Sequence, residues 1–155
     1  MTQSIPKVAL APILIISLGA NELPRVVVTF LVAFFPLVVA TATGLQAAPP
    51  ELIELGKSLR ASRWKEIWRI RLPYAISSIF GGLKVAIALA VVGAVVGEFV
   101  AANAGLGYLI TTSMAFFRVP VAWGAMIILS FMGILLFQAV VLVERWFFPW
   151  SYQGD

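Results

Sequence analysis

An all-α, polytopic transmembrane helical bundle is predicted from three observations. Hydrophobic residues make up 61% of the 155-residue chain and charged residues only 12%, about half the charged share of an ordinary soluble domain. Uncharged runs approach or reach the roughly 20 residues that cross a hydrocarbon core. Basic residues crowd into one short island, which leaves the flanking runs almost bare of charge. A chain of this length holds roughly four or five crossings at most. One transmembrane domain over residues 1–155, with about four membrane segments, is the expected organisation.

The first apolar run, residues 8–20, contains Pro12 and is short for a full crossing unless its helix begins nearer Ile5 and tilts. A signal peptide is the competing reading. Pro12 interrupts the apolar region, however, and Leu18-Gly19-Ala20 is a poor small-x-small cleavage site. After the polar turn at residues 21–25, residues 26–45 carry no charge and have full crossing length. Pro36 lies inside that run, where a neighbour or a Thr hydroxyl would satisfy the carbonyl it frees. Thr41 and Thr43 are also readable as plain packing residues.

The third run spans residues 75–101. Along it Gly82, Ala86, Ala90 and Ala94 recur every four residues, with Gly93 and Gly97 on an adjoining stripe. In lipid, close backbone approach holds helices together, so small stripes mark packing faces, and here they mark the central helix. They also suit a sliding contact. Lys84 sits near enough to the inner end to snorkel. Glu98 is read as the single intramembrane acid, open to two roles: a contact on a translocation pathway, or a brace for the turn at residues 103–105. Glycines at 105 and 107 predict that turn, followed by a short apolar or re-entrant piece. The fourth run, residues 121–143, ends in Glu144-Arg145-Trp146, a stop suited to a membrane interface.

Six of the eleven Lys and Arg fall within residues 57–71, so the net charge of +4 is local. It reads as topology and not as a nucleic-acid site. With Lys7 and Arg145 on the same side as the island, and Arg25 and Arg118 on the other, four spans with both termini cytoplasmic are expected.

The island itself starts at Pro49-Pro50-Glu51, which suits a helix N-terminus, and a short helix is expected through about Arg60. Ser62 is placed to cap a second helix whose apolar face is Trp64, Ile67 and Trp68. Pro73 is expected to end that helix and start the next span. From charge and aromatic content alone, the island reads as an interfacial helix on anionic lipid, anchored by its two Trp.

Chemistry is limited by what is missing. With neither His nor Cys, thiol nucleophiles, disulfides, imidazole acid–base catalysis and ordinary zinc sites are excluded. No phosphate loop occurs; Gly81-Gly82-Leu83-Lys84 lacks its spacing. An enzyme built on Glu98 alone lacks the partners for a catalytic constellation. No cofactor or metal is expected, and if ATP drives this protein, another chain hydrolyses it.

The spacing Glu, two residues, three of any kind, one residue, nine of any kind, then Ile-x-Leu-Pro is met by Glu54, Arg60, Ile70, Leu72 and Pro73. It resembles the cytoplasmic "EAA" loop of ABC-importer permeases, with Leu55-Gly56 in place of Ala-Ala and Arg60 in place of Gly. Residues 7–12, Phe34-Phe35-Pro36, Gly97-Glu98-Phe99, residues 105–110 and the Glu144 to Trp150 ending are similar to the nitrate, sulfonate, taurine and pyrimidine-precursor importer group. The resemblance implies a type I importer permease in the cell inner membrane: a homodimeric channel flanked by ATPase subunits and fed by an extracytoplasmic solute-binding protein. It implies ATPase coupling through Glu54, Gly56, Lys57, Arg60, Ala61, Ser62, Leu72 and Pro73. Such permeases usually have further helices before the position matched by Lys7. The resemblance therefore implies either a shortened permease or helices supplied by another chain. The rival is a non-transporting membrane scaffold or permease fragment whose basic loop binds anionic lipid.

Overall fold

The computed structural model describes residues 9–19 and 21–150. Seven α-helices and no strand occur among them: α1 (Leu10–Leu18), α2 (Glu22–Gln46), α3 (Pro50–Ser58), α4 (Arg63–Glu66), α5 (Leu72–Ala101), α6 (Leu106–Ala115) and α7 (Val119–Phe147). A π-helical turn, Ile67–Arg71, joins α4 to α5. Three stretches are long and apolar enough to cross a membrane, Glu22–Gln46, Arg63–Val100 and Val119–Phe147. Among the described residues the first apolar run holds the nine-residue α1, about 14 Å long at 1.5 Å per residue. Lys7 lies outside the described residues.

The chain divides into two compact units. One combines residues up to Phe35 with Ala86–Gln138, the other Pro36–Val85 with the residues from Ala139 onward. Helices α2, α5 and α7 contribute to both.

In the first unit, α2 starts at an Asx cap: the Leu23 N–H donates to Asn21 Oδ1 at 2.9 Å. Pro24 is tolerated in this first turn because its missing N–H has no intrahelical partner there. Helix α5 approaches α2 through glycine. A Cβ on Gly93 would lie 3.0 Å from Thr29 Cα, and one on Gly97 would lie 3.0–3.3 Å from the Arg25 stem. Ala90 and Ala94 line cavities that Thr29 of α2 also borders.

In the second unit the same helices meet at Gly44, where a Cβ would come within 2.8 Å of Ser78 Cβ and 3.0 Å of Ala75 Cα, and at Gly82, where it would overlap Ala40 Cβ. Thr41 donates to the Leu37 carbonyl at 2.8 Å. The carbonyl freed by Pro36 is that of Val32, so Thr41 does not serve it.

Two further expectations are corrected here. Pro73 does not end a helix: the chain is helical without a break over Arg63–Val100. The Leu72 N–H reaches back to the Ile67 carbonyl, an i→i−5 bond that widens the turn just ahead of the proline. That widening relieves the clash between a proline ring and the carbonyl four residues earlier. Lys84, expected to snorkel, has its Nζ 2.7 Å from Oε2 of Glu144, whose side chain is 3% exposed. Glu98 is therefore not the sole acid within the long apolar helices.

Candidate functional site

The loop between α2 and α5 is ordered by its own backbone. Helix α3 ends in a Schellman motif: the Ala61 N–H donates to Gly56 O and the Arg60 N–H to Lys57 O, both at 2.9 Å. That closure requires a left-handed residue at Arg60, which has φ 53°. The importer loop pattern has glycine at this place, and the geometry supplies the reason, since glycine enters this region without Cβ strain. Replacing Arg60 by Gly is accordingly expected to raise stability by about 0.5–1 kcal/mol, the relief of left-handed strain offset by unfolded-chain entropy. Thermal unfolding in detergent reads this, and a lowered midpoint would contradict it.

Gly56 stands where the pattern has alanine. It is buried, with Ile70 Cδ1 3.0 Å and Ala61 Cβ 4.0 Å from the place of a Cβ. The loop thus folds back on itself, with Gly56, Ala61 and Ile70 packed together. Glu54, Lys57, Arg60 and Ser62 are left exposed around that contact. Glu54 is engaged through its backbone, its carbonyl accepting from Ser58 Oγ at 3.0 Å. Ser62 caps α4 by accepting from the Lys65 N–H at 3.5 Å. Leu72 and Pro73 belong to the π-turn and the start of α5.

Arg71 anchors this loop and was not singled out from the sequence. Its Nε donates to Glu66 Oε1 at 2.8 Å and its Nη1 to the Leu45 carbonyl at 3.1 Å. A cation on a last-turn carbonyl of α2 suits both the unsatisfied acceptor and the helix dipole. The usable signal was weak: a Glu and an Arg five apart do not share an α-helical face, but a π-turn brings them together. Trp64 and Trp68 stay exposed, at 73% and 62%, on a segment that also displays Arg63, Lys65 and Arg69.

Glu98 stands in the first unit. Its Oε2 accepts the Gly107 N–H at 2.6 Å, which puts a carboxylate on a free donor in the first turn of α6. Gly105, with φ 119°, and Gly107 make the approach feasible: a Cβ on the first would overlap the Glu98 carboxylate, and one on the second would lie 2.9 Å from Glu98 Cβ. Glu98 also borders a cavity of about 430 Å³ shared with Glu22, Arg25 and Thr29. Among the described residues no cluster of acidic side chains could hold a metal ion.

The model of the binding-protein-dependent transport system inner membrane component family matches residues 1–151. The riboflavin transport system permease protein RibX of Chloroflexus aurantiacus is 37% identical over 97% of this chain and 56% of its own length. The formylaminopyrimidine transport permease protein ThiX of Halalkalibacterium halodurans is 38% identical over 96% of this chain and 60% of its own. The putative aliphatic sulfonates transport permease protein SsuC of Bacillus subtilis is 29% identical over 99% of this chain and 56% of its own. The chain thus spans somewhat over half the length of these relatives. With three apolar helices of crossing length and a family match over nearly all its residues, this chain is a membrane protein that belongs to the inner membrane permease components of binding-protein-dependent transport systems.

Proposed function

We propose that this chain is a permease subunit of an ATP-driven importer, carrying a small nutrient across the cytoplasmic membrane. The observation that carries the reading is the Pro50–Ser58 helix, closed by its Schellman motif and presenting Glu54, Lys57, Arg60 and Ser62 outward beside exposed Leu55 and Leu59. A rigid, two-sided projection of this kind suits docking into a groove on another protein, here a separate ATPase subunit that hydrolyses the ATP. ATPase closure then moves the loop. Arg71, bonded to Leu45 and Glu66, passes the displacement to α2 and α5. Gly56 and Ala61 keep the loop folded, while Leu72 and Pro73 form its junction with α5.

The remaining partners are a second permease copy, an extracytoplasmic solute-binding protein and the bilayer. The relatives named for riboflavin, formylaminopyrimidine and aliphatic sulfonates support a nutrient of the sulfonate, nitrate, taurine or pyrimidine-like class. The basic island supports a cytoplasmic side for the loop.

Glu54→Ala is the clean test, because the Glu54 side chain is exposed and only its backbone carbonyl has a recorded bond. The expected result is loss of co-purification with the candidate ATPase, and of vanadate-sensitive ATP hydrolysis, at unchanged folding. Full association of the variant would sink the coupling role.

The exposed Trp64 and Trp68 beside Arg63, Lys65 and Arg69 favour a second reading, a scaffold whose loop binds anionic lipid. In that case flotation with phosphatidylserine vesicles would be salt-sensitive and indifferent to Glu54→Ala.

A further inference from the structure

Arg25 and Glu98 border one cavity of about 430 Å³, yet among the recorded ion pairs Arg25 is joined to Glu22 and not to Glu98. Each is held in place from behind. The Arg25 stem lies on Gly97, with 3.0–3.3 Å between a Cβ there and the stem carbons. Glu98 is fixed by the Gly107 N–H at 2.6 Å and by the close approach of Gly105. The Arg25 charge is not fully satisfied. Arg25 Nη2 meets Glu22 Oε1 at 2.6 Å, but the Glu22 side chain is 78% exposed, so water screens that pair. Arg25 Nε is buried with no partner among the described residues.

Charged groups in an apolar helical segment carry a desolvation cost. A ligand bearing both charges would relieve both at once. A singly charged ligand would leave one of them uncompensated. The other walls fit such a guest: Thr29, Phe30 and the small Ala94 line the same space. The volume lies in the range of small-molecule sites.

We propose that this cavity binds a small zwitterion, its acid group on the Arg25 guanidinium and its ammonium group on the Glu98 carboxylate. That the guest is cargo rests on the importer reading; the binding itself does not.

The test uses the full chain in lipid nanodiscs without any ATPase, titrated calorimetrically with β-alanine and 4-aminobutyrate as zwitterions and with propionate and propylamine as singly charged controls. Saturable zwitterion binding is expected, at least tenfold tighter than either control. Arg25→Gln and Glu98→Gln should each weaken it at least tenfold, with partial recovery in Arg25→Lys. Since Glu98→Gln also touches the start of α6, Ala94→Leu provides a second route: it fills the cavity without altering a charge and should abolish binding. Circular dichroism establishes that each variant is folded.

Equal binding of the controls, binding unchanged in folded Arg25→Gln, or no binding of either zwitterion overturns the site. ATPase association without zwitterion binding would remove the site and leave the importer reading. Binding without ATPase association would keep the site and remove that reading.

Discussion

Lys84→Met is expected to destabilise the folded chain by about 3–5 kcal/mol, the range for removing one partner of a buried ion pair. Lys84 Nζ stands 2.7 Å from Glu144 Oε2, with the two side chains 24% and 3% exposed. The pair joins α5 to α7 within one compact unit, and Phe80 and Phe148 pack beside it with ring centroids 5.5 Å apart. Removing the ammonium takes a charged partner away from a carboxylate that has little access to water. Replacing both members by Met and Leu is expected to cost far less, because an apolar pair of similar volume pays no desolvation. The measurement is a double-mutant cycle on unfolding in mixed micelles. Additive single variants, with a coupling energy near zero, would mean that the two side chains act independently.

The long helices were legible in the sequence because an uncharged run of crossing length has few alternatives in a chain this apolar. The uncharged runs at residues 26–45 and 121–143 became Glu22–Gln46 and Val119–Phe147, and the run at 75–101, apolar apart from Lys84 and Glu98, became Leu72–Ala101. Two of these helices extend beyond the uncharged run because charged residues such as Glu22 and Glu144 are helical too. Glu22 pairs with Arg25 and Glu144 with Lys84, so a local hydropathy boundary understates the helix.

Local backbone features of the loop were legible as well. Ser62 read as an N-cap and is one, and the helix expected to run through about Arg60 ends at Ser58 with a two-residue closure. What stayed hidden depends on contacts between distant segments or on a rare turn. Arg71 to the Leu45 carbonyl and Lys84 to Glu144 join residues far apart in sequence, and hydrophobic periodicity carries no information about such pairs. Pro73 failed as a helix stop because the π-turn before it absorbs the clash, and no residue pattern in Ile67–Arg71 announces that turn. The importer resemblance identified the loop, whereas the φ of Arg60 explains why the pattern wants glycine there.

Gly82→Ala is expected to cost about 1–3 kcal/mol, the typical penalty for an extra methyl in a filled interface. Its neighbour Gly81→Ala should be neutral or slightly stabilising. The two positions share a helix, a residue type and the same gain in helix propensity, so their difference isolates packing. A Cβ on Gly81 would meet nothing within 4 Å, whereas one on Gly82 would overlap Ala40 Cβ and lie 3.5 Å from the Pro36 carbonyl oxygen and Leu37 Cα. In lipid there is no hydrophobic gain to compensate a widened helix pair, since the tails are as apolar as the side chains. The steric cost therefore appears in full as separation of α2 from α5. The Arg71 bond to Leu45 O and the close fit of Gly44 on Ala75 lie in the same unit, so the loop anchor weakens with it. Adding Ala40→Gly removes the colliding methyl and should restore most of the loss in the Gly82→Ala background. Unfolding midpoints of the four chains in one detergent decide the matter: if Gly82→Ala proves no less stable than Gly81→Ala, helices α2 and α5 are not held at contact distance at this point.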